Sequence, residues 1–183
     1  MNKSIANEII EMARYDLQVR EELLKAGKLS PGYNPDMERV HLKNAARLDE
    51  IINTIGYPTP SKVGKEASEA AWLIVQHAIS KPALMKKCYA LLSEASGDVN
   101  PQNLAYLHDR ICYFEGRPQK FGTQFDDRGL YPVEDKDETI RLRKALQLST
   151  HDEALIIEAK NTQIDLHPHN EDFNLWRKKV GWI

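Results

Sequence analysis

Residues 104–124, LAYLHDRICYFEGRPQKFGTQ, decide how the rest of the chain is read. Leu104, Leu107, Ile111 and Phe114 recur at helical spacing and predict one buried stripe. Asn100-Pro101 supplies a cap and a proline at the first helical position, and Gly116 supplies the stop. Beyond Pro118 the period changes. Phe121, Thr123 and Phe125 alternate with Lys120, Gly122 and Gln124, which predicts an extended strand. Asp126-Asp127-Arg128-Gly129 is turn chemistry, and residues 130–133 can return as the partner strand. The expectation is a small β-hairpin over about 119–133. An isolated hairpin is marginal in water, so its aromatic residues should dock on helices.

Working outward, the remaining segments read as helices. The first covers about 4–26, with Ser4 as its cap and Gly27 as its stop, and gathers Ile5, Ile9, Met12, Ala13, Leu23 and Leu24 on one face. A second runs from Asn34-Pro35 to Gly56 with Met37, Val40, Leu48, Ile51, Ile52 and Ile55 as its stripe. A third, over about 63–79, carries the broad small-residue arc Ala67, Ala71, Ile74, Val75 and predicts a central helix covered on most sides. A fourth follows Pro82 to about 96. After the hairpin come helices over about 135–148, over about 150–162 behind the capping box Thr150-His151-Asp152-Glu153, and over 171–180 with Phe173 and Trp176 inward. The fold class is therefore mainly α: a bundle of about seven or eight helices with one hairpin. Residues 1–148 read as a helical domain and 149–183 as a helical extension packed on it.

Several polar residues sit where these stripes should be apolar. Asp16 and Arg20 fall in the first stripe, four apart, so they can pair. His41 and Asn44 lie in the second. Gln76 and His77 border the third, with Glu66 three turns before His77 on the same rim. Charges and amides on a core face are costly unless they are partnered. They therefore mark either an internal brace or the floor of a pocket.

Composition excludes several functions. A net charge of −2 offers no field for nucleic acid or an anionic membrane. No window approaches the ~20 apolar residues of a membrane span, and the N-terminus meets charge too early for a signal peptide. Cys88 and Cys112 read as two reduced, packed thiols of a cytoplasmic protein. No CxxC, glycine-rich phosphate loop or serine elbow is present, so no metal and no cofactor is expected. His167-Pro168-His169 invites a metal reading but lacks carboxylate or thiol partners at fixed spacing.

The segments Gly56-Tyr57-Pro58, Gly64-Lys65-Glu66-Ala67, Trp72-Leu73-Ile74-Val75-Gln76-His77, Asp109-Arg110 and Gln119-Lys120-Phe121-Gly122-Thr123-Gln124, in this order, resemble a widespread and mainly bacterial family without a settled activity. Its signature is a W-L-x-x-Q-H helix, then D-R, then Q-x-[YF]-G-T-Q. The resemblance runs from about Asp16 to Asp135. The family typically has Tyr where Phe121 stands, and typically Asp-Gln where this chain has Asp16-Leu17. The resemblance implies a site and no particular chemistry.

Two functional expectations follow. In the first, Asp16, Arg20, Asn44, Gln76, His77, Asp109, Arg110, Gln119, Thr123 and Gln124 line one pocket for a small molecule. There His77 would serve as general base, oriented by Glu66 or Asp109. Arg20 or Arg110 would grip a carboxylate or phosphate, and the amides and Thr123 would read neutral polar groups. Acid–base hydrolysis or group transfer is the chemistry these residue types favour. In the second, the chain is a protein-interaction module of immunity or adaptor type. The hairpin and the Tyr106/Tyr113 face would bind the partner, and the polar residues would form a structural network.

Overall fold

The structure is a computed structural model that describes residues 2–29, 32–95, 97–159, 166–167 and 170–183. The chain divides into two compact units, Met1–Val99 and Asn100–Ile183. The division lies inside the stretch 1–148 read above as one domain, and 149–183 falls within the second unit. Eight α-helices and one two-stranded antiparallel hairpin are present among the described residues, a mainly α fold as expected.

The first unit holds α1 (Lys3–Lys25), α2 (Pro35–Ile55), α3 (Pro60–Val63), α4 (Lys65–His77) and α5 (Pro82–Glu94). Asn34 caps α2 as expected, accepting from the backbone N–H groups of Asp36 and Met37. The cap of α1 is Asn2, which accepts from Ile5 N, and not Ser4. The predicted third helix, over about 63–79, is α4, and α3 is an additional short helix just before it. Gly64 adopts φ +87 and breaks the ladder between α3 and α4, a backbone turn that an L side chain resists. The expectation that this helix is central holds for α4, which packs against α1, α2, α3 and α5. Ala67 and Ala71 are buried there and let neighbouring helices approach; Ile9, Leu48, Ile74 and Val75 fill the centre. Each such side chain contributes about 1.5–3 kcal/mol by leaving water.

The second unit holds α6 (Pro101–Glu115), β1 (Phe125–Asp126), β2 (Gly129–Leu130), α7 (Lys136–Ala145) and α8 (Glu171–Val180). Asn100 caps α6 and Gly116 ends it in the left-handed conformation, both as read from the sequence. The hairpin pairs Phe125 with Leu130 and Asp126 with Gly129. It is shorter than predicted, because residues 119–124 do not run as a strand. They turn around a carboxylate, as described below.

The helix expected over 150–162 does not form across its described part. Glu153–Leu155 makes one 3-10 turn, and the chain then extends. Val133 N donates to Ile157 O at 2.9 Å and Ala159 N donates to Val133 O at 2.8 Å. Those long-range bonds engage the backbone groups a helix would have needed. Residues 160–165, which include the end of the predicted helix, lie outside the described residues, as do Pro168 and His169 of the predicted loop. His167 is described. It is buried, its Nε2 lies 2.9 Å from the Tyr113 carbonyl, and its ring stacks on Tyr131. Around it Tyr113, Phe114, Phe173, Trp176 and Trp182 form an aromatic cluster. Arg177 of α8 is fully buried against it, with Nη1 donating to Phe114 O at 3.1 Å.

Candidate functional site

In the first unit the polar residues of three helices meet. Asp16 of α1 is fully buried, placed on the inner face by helical spacing from Ile9 and Ala13. Its Oδ1 lies 3.0 Å from His77 Nδ1 at the end of α4. Its Oδ2 lies 3.3 Å from His41 Nε2 on α2. The second contact is a charge contact without hydrogen-bond alignment, and neither of those two buried atoms has another partner. The rings of His41 and His77 are 4.9 Å apart. Behind His41, the Tyr33 hydroxyl is 2.6 Å from Nδ1, which fixes the ring with Nε2 toward the carboxylate. Burial pushes the Asp16 carboxyl upward, but the imidazoles of His41 and His77 outweigh this and hold it at about 2. Asp16 is thus a buried carboxylate between two imidazoles.

This group opens on a recess of about 170 Å³ lined by Arg20, Tyr33, Met37, His41 and His77, among others. That volume fits a few waters or one small chemical group, well short of the ~300–1,000 Å³ of a drug-sized site. Arg20 is exposed. The ion pair expected between Asp16 and Arg20 is not made, because the carboxylate turns inward to the imidazoles. Among the described residues Arg20 has no hydrogen bond or ion pair. Asn44 donates from Nδ2 to Met12 O at 3.1 Å and bridges α2 to α1. Gln76 is buried on α4. Glu66 is exposed, and it is Asp16 that holds His77.

In the second unit the remaining singled-out residues form a closed network. Asp109, fully buried on α6, accepts from Lys120 N at 2.8 Å, from Phe121 N at 3.1 and 3.0 Å, and from Thr123 N at 3.0 Å. The Thr123 hydroxyl adds a bond at 3.1 Å. One carboxylate therefore winds the 120–123 loop. Gln119 and Gln124 lock its ends. Gln119 Nε2 donates to the Gln124 and Tyr131 carbonyls at 3.0 and 2.6 Å, and its Oε1 accepts from Gln124 N at 2.8 Å. Arg110 donates to Gln124 Oε1 at 3.0 Å. Arg143 donates to the Phe121 and Gly122 carbonyls, both at 2.7 Å. His108 lies 3.0 Å from Asp109 and 3.8 Å from Cys112 Sγ. Burial lowers its affinity for a proton, but Asp109 and Cys112 prevail and raise it to about 9.

A larger recess in this unit, about 650 Å³, is lined by Tyr113, Asp126, Asp127, Arg128, His167 and Glu171, among others. Within it Asp126 pairs with Arg128 at 2.5 Å, and His167 Nε2 lies 2.9 Å from the Tyr113 carbonyl. Beside the smaller recess, the buried Asp16 Oδ2 and His41 Nε2 lack a hydrogen-bond partner. Arg20 and His77 of that recess, and Asp16 behind it, were singled out in the sequence; His41 as a partner and Tyr33 were not. His41 carried the same signal, a polar side chain in an apolar stripe. Tyr33 carried none, lying in a turn between helices. Among the described residues, Asp16, His41 and His77 also bring three metal-ligating atoms within 4.8 Å of one another.

No curated protein and no solved structure matches this chain. A family profile does, over residues 3–179, nearly the full length and including both polar clusters. The chain belongs to the family described as Family of unknown function (DUF6624).

Proposed function

We propose that the first unit binds a small anionic molecule in the Asp16–His41–His77 recess and carries out acid–base hydrolysis or group transfer on it. The observation that carries this reading is the 3.0 Å contact between Asp16 Oδ1 and His77 Nδ1. A buried carboxylate at Nδ1 orients the ring, stabilises the imidazolium, and leaves Nε2 to accept a proton from water or a substrate hydroxyl. Arg20 supplies a planar fork for a carboxylate or phosphate. The free thiols Cys88 and Cys112 agree with a cytoplasmic setting. Among the described residues no helix is long and apolar enough to cross a membrane.

The test is a calorimetric and NMR screen of metal-free protein against small carboxylates and phosphates. Binding that falls at least ~10-fold in both Arg20→Ala and His77→Gln, with melting temperatures within a few degrees of wild type, supports the site. Anion binding indifferent to both substitutions removes it.

A second reading, a protein-interaction module, draws on the other unit. There Asp109, Gln119, Thr123 and Gln124 are engaged with each other and with backbone, as a structural network requires. Phe125 at the hairpin is 58% exposed, a large apolar side chain available to a partner.

A further inference from the structure

We propose that Asp16, His41 and His77 form a binding site for one divalent transition metal ion of the zinc class. This deepens the assignment of the recess as a ligand site and rests on it. The first argument is spacing. Tetrahedral zinc with ligand bonds of about 2.0–2.1 Å holds its donor atoms about 3.3–3.4 Å apart. Here the carboxylate oxygens stand 3.0 and 3.3 Å from the two imidazole nitrogens, and all three residues present donors within 4.8 Å of one another.

The second argument is satisfaction. Asp16 Oδ2 and His41 Nε2 are buried and face each other without an aligned hydrogen bond, and neither has another partner. A buried carboxylate oxygen and a buried imidazole nitrogen left in this way are each destabilising. A cation between them would satisfy both. The third argument is the outer contact. A metal-bound histidine presents one nitrogen to the ion and its other nitrogen to a polar partner, which sets the tautomer and aims the ring. The Tyr33 hydroxyl at 2.6 Å from His41 Nδ1 has that relation to Nε2.

Two imidazoles and one carboxylate favour zinc, iron or cobalt over magnesium, which prefers oxygen ligands and keeps its waters. Three protein donors leave at least one coordination position, and the recess beside His41 and His77 is where water or an anion would occupy it. Arg20, on the same recess, would face the anion and not the ion. With a metal bound, His77 would be a ligand and not a general base, and the ion would supply an activated water in its place. Metal-free acid–base chemistry and metal-assisted chemistry are thus alternative states of one site.

The experiment uses the full chain, stripped with chelator, dialysed, and titrated with Zn²⁺ by calorimetry, with stoichiometry checked by elemental analysis. About one equivalent is expected. His41→Ala and His77→Ala should each weaken binding at least ~100-fold, and Tyr33→Phe about 10-fold. Arg20→Ala should leave zinc affinity unchanged, and excess Mg²⁺ should not compete. Asp16→Asn risks misfolding, so Co²⁺ substitution supplies the second readout. Visible ligand-field absorption should appear in the wild type without thiolate charge transfer, and should vanish in the His41 and His77 variants. Absent uptake, uptake unchanged in both histidine variants, or displacement by Mg²⁺ overturns the metal site. If the stripped protein still binds an anion through Arg20 and His77, the metal inference alone has failed. If zinc binds at the three residues and no anion does, the acid–base reading has failed and the metal site stands.

Discussion

Replacing Asp109 by Asn tests the claim that one carboxylate organises the 119–124 loop. The substitution keeps size and shape and alters only charge and one acceptor. In the native fold Oδ1 serves Lys120 N, Phe121 N and His108 Nδ1, while Oδ2 serves Phe121 N, Thr123 N and the Thr123 hydroxyl, at distances of 2.8–3.1 Å. An amide NH₂ at the Oδ2 position would point a donor at Thr123 N–H, leaving one buried backbone donor unsatisfied at about 1–3 kcal/mol. The bonds to the remaining oxygen lose their charge assistance, roughly another 1 kcal/mol each. Relief from burying a charge offsets part of this. The expected net loss is about 3 kcal/mol, a large share of the 5–15 kcal/mol typical of a folded domain. Urea denaturation in a Trp72→Phe background reads it through Trp176 and Trp182, both in the same unit as Asp109. Thr123→Val, which removes only the hydroxyl bond, should cost about 0.5–1.5 kcal/mol in the same assay. An Asn variant within 1 kcal/mol of its parent would refute the account of the loop.

Three further outcomes are expected. Asp16 has its carboxyl lowered to about 2, so its stabilisation is complete above its unfolded value near 3.9 and is lost as pH falls toward 2. That is worth about 2 kcal/mol; an acid-unfolding curve identical in wild type and Asp16→Asn would contradict it. His108 is raised to about 9, so the sign reverses: its contribution, on the order of 2–3 kcal/mol, is full below pH 6.5 and is lost as pH rises through 9. His108→Gln should flatten the stability profile over that interval, and an NMR titration midpoint near 6.5 would show the cause to be misassigned. Gly122→Ala should destabilise by about 1–3 kcal/mol. Gly122 has φ +66, and an added Cβ would meet Thr139 Cγ2 at 3.3 Å and the His151 ring at 3.4 Å. A variant that melts with wild type would show that the loop adjusts freely.

What could be read before the structure was what local chemistry decides. Asn34-Pro35 and Asn100-Pro101 start helices because cap and proline act within one turn. Gly116 ends one because its backbone freedom is its own property. Pairing across distance was not legible. Asp16 has Arg20 one turn away, yet it turns to His77, 61 positions along the chain. The capping box at Thr150 is a sound local signal, overridden by backbone bonds from Val133. Alternation over 119–125 matched a strand because Asp109, which winds those residues into a loop, lies on another element. The sequence did mark Asp16 and His77 as polar residues needing partners, since that follows from where each falls on its helix, whereas Asp109 was singled out by the family motif and read as lying on the side of its helix away from the apolar stripe.

The Gln119 side chain stands between two stretches of backbone and does for them what a neighbouring strand would do. It accepts from Gln124 N and donates to the Gln124 and Tyr131 carbonyls. With Asp109, it shields the amide hydrogens of Lys120, Phe121, Thr123 and Gln124 from solvent exchange. A deuterium-exchange trace should therefore find this stretch, outside any helix or regular ladder, as slow as the helices around it. Its clock would be the opening of the whole unit, not the flicker of a surface turn.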